Sequence, residues 1–152
     1  MPYAVAGMWL ICVGMAELFR QLAKGMGSTW HAKWVRIFGI ATSVYAALTV
    51  TPMHDLMVTI ALVFLVAAEM VLLDWLWQRR QFPLWIAGMA NLALLLSAAF
   101  TYYREVAMVA LPTLQKLVFL LSTGWLLWLH RCVVATPAKL NGHTQRKVPA
   151  GK

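Results

Sequence analysis

The chain has 152 residues and a formal net charge of +8, with 62% apolar and only 12% charged residues, and its mean hydropathy is +0.71. That balance excludes an ordinary water-soluble domain, in which roughly 25% of residues are charged, and no stretch between the apolar runs is long enough to hold a core of its own. The sequence predicts an all-α bundle of transmembrane helices in a membrane region over residues 1–132, followed by a basic tail over residues 133–152.

A helix crossing the hydrocarbon needs about 20 mostly apolar residues. Five stretches qualify: residues 3–22, 34–50, 56–77, 82–102 and 111–130. The first has no basic residues ahead of it, while Arg20 and Lys24 follow it. It therefore reads as an uncleaved anchor with an exported N-terminus. Gly7 and Gly14 mark a small-residue packing stripe on it, and Glu17 has Arg20 and Gln21 as i+3 and i+4 partners.

The second stretch is short and carries Thr42, Ser43 and Thr49. Gly39, Ser43 and Ala47 recur along it every fourth residue, a ridge that lets another helix approach. Thr51-Pro52 ends it, because proline cannot continue a helix. The third stretch holds Glu69 among apolar residues, with Asp74 close to the turn at Arg79 and Arg80. The fourth carries Asn91. A polar run at residues 101–105 precedes apolar residues 106–111, which belong to a span or lie at the interface. The fifth contains Lys116, whose long stem can snorkel outward, together with Ser122 and Thr123. Prolines, glycines and cations in the tail predict disorder and contact with anionic headgroups.

With five spans the cations sort to one side. Arg20, Lys24, Lys33 and Arg36 flank the first connection, Arg79 and Arg80 the third, and Arg131, Lys139, Arg146, Lys147 and Lys152 follow the last span. Arg104 falls on the other side and Lys116 inside a span. The positive-inside rule then puts the N-terminus outside and the tail in the cytoplasm, and a four-span reading would scatter the same charges over both faces. Compactness favours a bacterial inner membrane. Trp30, Trp34, Trp75, Trp77, Trp85, Trp125 and Trp128 all fall near the basic interface, where indole rings anchor.

The same rule accounts for the net charge without nucleic acid. No phosphate loop, nucleophile elbow, zinc spacing or internal repeat is present. His54 and His130 belong to opposite interfaces, which excludes a shared haem, and Cys12 and Cys132 lie at different levels, which excludes a disulfide. No cofactor or metal is expected.

Ionisable groups inside spans are costly, so they are the first functional candidates. Glu69 lies about 12–15 Å below the basic interface by helical rise, with Leu72 and Leu73 as its i+3 and i+4 neighbours. Asn91 follows Arg80 at the same distance at which Glu69 precedes it, so the two share a depth on antiparallel helices. Ser43, Ser122 and Thr123 fall near that depth. Together these residues form a candidate polar tier for an ion or a proton, or a set of helix-to-helix hydrogen bonds.

The favoured functional expectation is a non-enzymatic subunit, accessory or immunity-type protein. It would act through helix contacts with another membrane protein or with itself as a homo-oligomer. The alternative is a small oligomeric transporter or channel using Glu69. A third reading, a membrane enzyme or a lipid- or quinone-binding protein, would bring Glu17, His31, Asp74, Arg79 and Arg80 together at the cytoplasmic interface.

Overall fold

The computed structural model describes residues 2–104, 109 and 111–144, with side chains except at 2, 4 and 134–144. It is all-α: α1 (Pro2–Gly25), α2 (Trp30–Ala47), α3 (His54–Gln78), α4 (Phe82–Arg104) and α5 (Leu111–Thr144). Local chemistry sets the boundaries. Gly27 adopts a φ of 78° in the turn after α1, a left-handed conformation that favours glycine. Thr29 then caps α2, its Oγ1 accepting from the Ala32 N–H at 3.2 Å, so α2 begins at Trp30, ahead of the expected residue 34. A 3₁₀ turn at Leu48–Val50 and Pro52 separate α2 from α3. Arg80, with a φ of 54°, closes α3: its N–H donates to the Trp77 carbonyl and the Gln81 N–H to the Leu76 carbonyl, the paired bonds of a Schellman stop.

α5 carries on past the expected end at residue 130 to Thr144, so the helix enters the first part of the basic tail. Residues 145–152 lie outside the described residues, as do positions 105–108 and 110, where the sequence left the span boundary open.

Three segments, Val5–Gly25, His54–Gln78 and Phe82–Arg104, are long and apolar enough to cross a membrane. They mark an integral membrane protein in contact with lipid. Each helix packs on its neighbour in sequence, and α5 returns to lie against α1, closing a ring of five. Leu10, Val13, Val63, Ile86 and Leu120 are exposed on the outside of that ring, as suits a surface bathed in acyl chains.

The main core lies in the half of the ring that carries the α1–α2 and α3–α4 turns, called here the basic end. Phe19, Leu22, Val35, Leu72, Leu76 and Leu129 are fully buried there. Two of the tryptophans expected to anchor at the interface belong to this core instead: Trp75 and Trp125 are buried, whereas Trp30, Trp77 and Trp128 are exposed. Trp125 is drawn inward because its Nε1 donates to the Leu84 carbonyl of α4 at 2.9 Å. In the other half Leu95, Ala98 and Val118 form a smaller buried cluster.

Glycines decide how closely the helices approach. A Cβ on Gly39 would run into the Phe19 ring and its Cβ, and one on Gly88 would meet the Trp125 ring and Leu73. The α2 ridge thus receives α1 at Gly39. At Gly7 and Gly14 a Cβ would meet nothing within 4 Å, so the stripe expected on α1 makes no close approach among the described residues. Gly39→Ala is therefore expected to cost about 1–3 kcal/mol by overpacking. Gly14→Ala is expected to be neutral or to stabilise by up to about 1 kcal/mol through helix propensity. Thermal unfolding of both variants in mild detergent checks this; equal melting temperatures would contradict the close approach at Gly39.

Candidate functional site

Glu69 faces inward from α3 and is only 3% exposed. The Asn91 Nδ2 of α4 donates to its Oε1 at 2.8 Å, and the Ser122 hydroxyl of α5 donates to Asn91 Oδ1 at 2.9 Å. A single polar chain thus crosses three helices. An asparagine suits the middle position because one side chain carries both a donor and an acceptor.

Two other residues expected at this depth do not join. Ser43 is buried, but its hydroxyl donates back to the Gly39 carbonyl of its own helix at 3.0 Å. The Thr123 Oγ1 is buried without a hydrogen-bond partner. The expected tier is therefore a chain of three residues, with Ser43 and Thr123 outside it.

Beside the chain is a void of about 10 Å³, lined by Glu69, Asn91 and Ser122 with Phe19, Leu72 and Trp125 among its apolar walls. That volume is near the lower limit for one water molecule and leaves no room for a hydrated ion. Ser122 also lines a much larger cavity of about 360 Å³ on the side away from the basic end.

The charged residues near the basic end split into separate groups. Glu17 bonds the Arg20 guanidinium at 2.6 and 2.7 Å and the Gln21 amide at 2.9 Å, all on α1. Asp74 accepts from His31 Nε2 of α2 at 2.8 Å and from Gln78 Nε2 at 3.0 Å. The Arg79 guanidinium lies 5.2 Å from the centre of the Trp75 ring. His31 and Asp74 do meet, as the enzyme reading requires, but Glu17 is engaged on its own helix. Among the described residues no group of three or more His, Cys, Asp or Glu could hold a metal ion, and Cys12 and Cys132 are not joined by a disulfide.

Sequence reasoning missed the polar contacts at the far end of the ring. The Tyr102 hydroxyl donates to Asp55 Oδ1 at 2.6 Å, and the Tyr103 hydroxyl shares a 2.7 Å hydrogen bond with Thr59 Oγ1. The signal was available: the end of α4 and the start of α3 share a depth, by the same antiparallel count that pairs Glu69 with Asn91.

Comparison with family models, with curated proteins and with solved structures finds no match to this chain.

The chain geometry makes Asn91 the pivotal residue. Asn91→Leu strands both the Glu69 carboxyl and the Ser122 hydroxyl, and is expected to lower stability by about 1–3 kcal/mol. Glu69→Gln keeps an acceptor oxygen for Asn91, with an expected change within about 1 kcal/mol. Unfolding in detergent followed by circular dichroism measures both. A larger loss for the glutamine variant than for Asn91→Leu would show that the carboxyl has another role.

Proposed function

We propose that the chain is a five-span protein of a bacterial inner membrane, with its N-terminus outside and its basic tail in the cytoplasm. It acts without catalysis of its own, as a subunit, accessory or immunity-type protein, through helix contacts with another membrane protein or a second copy of itself. The observation that carries this reading is the closed polar chain: Glu69 is engaged by Asn91, Asn91 by Ser122, and the adjoining void holds one water at most. An intramembrane carboxyl arranged in this way fixes three helices against one another.

The orientation is supported by a concavity of about 730 Å³ between α1 and α2 that gathers Arg20, Lys24, Lys33 and Arg36. Four cations at one end, with Arg79 and Arg80 in the turn at that same end, suit the anionic cytoplasmic leaflet.

One observation favours the transporter reading as the second: Ser122 belongs both to the polar chain and to the wall of the large cavity, two hydrogen bonds away from Glu69. Purification in mild detergent, with mass determination and identification of co-purifying proteins, separates the two. A defined complex with another membrane protein, or a homo-oligomer without ion flux in liposomes, is the expected result. A homo-oligomer whose flux is abolished by Glu69→Gln would overturn it in favour of transport.

A further inference from the structure

The two halves of the ring are packed differently. Close glycine contacts and the main core fill the basic half. The other half encloses a cavity of about 360 Å³, to which all five helices contribute. That volume lies within the range of small-molecule binding sites, about 300–1,000 Å³.

The walls offer few free hydrogen-bonding groups. Thr42 and Ser43 line the cavity, but their hydroxyls donate to the Phe38 and Gly39 carbonyls at 2.9 and 3.0 Å. The Ser122 hydrogen is committed to Asn91. Thr123 also lines the cavity, and its buried Oγ1 has no hydrogen-bond partner among the described residues. The rest of the wall is mostly aliphatic and aromatic, supplied by residues such as Leu62, Leu65, Leu95 and Phe119.

The end away from the core is different. His54, Tyr102, Tyr103 and Gln115 line the cavity there. The Tyr102 hydroxyl already donates to Asp55 Oδ1 and the Tyr103 hydroxyl is bonded to Thr59 Oγ1, so the tyrosine oxygens are left to accept. The His54 Nδ1 faces the Thr49 carbonyl at 2.7 Å, so that nitrogen donates the hydrogen bond. Gln115 brings both an amide donor and a carbonyl acceptor. Arg104 and Lys116 belong to the same end but are not part of the lining. Among the described residues, the lining of this end contains no Lys or Arg.

A lateral groove adjoins the cavity. It lies between α1 and α5 and shares Ile11, Met15, Phe119 and Thr123 with the cavity wall. Gly14 lines this groove, and a Cβ there would meet nothing within 4 Å. The groove runs along α1 from its apolar middle at Ile11 and Gly14 to Glu17 and Gln21 near the basic end.

We propose that this cavity binds one uncharged amphiphile: an apolar tail along the walls and a hydroxyl or carbonyl head among His54, Tyr102, Tyr103 and Gln115, admitted from the bilayer between α1 and α5. The mainly apolar walls take the tail, and the absence of Lys and Arg from the described lining disfavours a phosphate head. The site goes beyond the subunit reading and holds whether or not the chain has a protein partner.

The full chain in phosphatidylcholine nanodiscs tests the proposal with three probes. Monoolein carries hydroxyls, decylubiquinone carries carbonyls, and dioleoylphosphatidylglycerol is anionic and two-tailed. Native mass spectrometry counts bound molecules. Alkylation of Cys12 by N-ethylmaleimide, in a Cys132→Ser background, reads occupancy directly because Cys12 lines the cavity. Saturable binding of one neutral probe per chain is expected, with protection of Cys12, and the tighter of the two identifies a hydroxyl or a carbonyl head. Ala46→Phe and Ala99→Phe place a ring in the cavity from α2 and α4, and are expected to weaken binding about tenfold or more without lowering the melting temperature. No saturable neutral binding, equal binding of phosphatidylglycerol, or indifference to both filled variants would overturn the site. Should the filled variants fail to fold, protection of Cys12 in the unfilled chain decides.

Discussion

Inside hydrocarbon, a polar group that the protein does not satisfy stays unsatisfied. Glu69 is where that constraint bears hardest, because a carboxyl far from either interface must find its partner on another helix. It finds one in Asn91, and Asn91 finds one in Ser122. The two bonds can coexist only when α3, α4 and α5 hold definite rotations about their axes. The polar chain is thus a statement about helix orientation in a bundle where apolar contact alone discriminates poorly, since lipid tails are as apolar as the side chains they would replace.

Other contacts set the remaining orientations at other depths. Asp74 draws α2 to α3 through His31 at the basic end. Tyr102 and Tyr103 bind α4 to the first turns of α3 at the far end. Between these levels, packing takes over. Gly39 admits Phe19 and Gly88 admits Trp125, so the basic half closes tightly. The mismatch between a half that glycines allow to close and a half that tyrosine hydrogen bonds hold at a set spacing leaves the cavity between them.

The sequence carried the number of helices and most of their ends, because apolar length and turn chemistry are local properties. It did not reveal the early start of α2, which depends on Thr29 acting as a cap rather than as part of a polar loop. Depth was legible too: counting from Arg80 pairs Glu69 with Asn91 correctly. Rotation was not. Ser122 and Thr123 are adjacent and equally deep, yet successive helical residues point about 100° apart, so only one of them can face Asn91. Ser43 met a nearer acceptor in the carbonyl one turn back, a contact that any helical serine can make. Trp75 and Trp125 misled for the same reason, since composition near an interface does not say whether an indole faces lipid or the core. The cavity was invisible at this level because it arises from side-chain volumes contributed by five helices at once.

A void of several hundred cubic ångströms would be a liability in a water-soluble core, where each unit of empty volume weakens the fold and the walls tend to collapse. The arithmetic differs in a bilayer. Collapse here would have to draw α3 and α4 out of register with the Tyr102–Asp55 and Tyr103–Thr59 bonds. It would gain little in exchange, since the walls leave one apolar environment for another. The proposed opening toward lipid would lower the cost further, because an acyl chain could occupy the space as well as a side chain can. A ring fixed by hydrogen bonds at three depths can therefore keep one half dense for stability and the other hollow for a guest. The two properties rest on different residues: the first on Gly39, Gly88 and the Glu69 chain, the second on the small side chains Ala46, Ala98 and Ala99, which leave the far half unfilled.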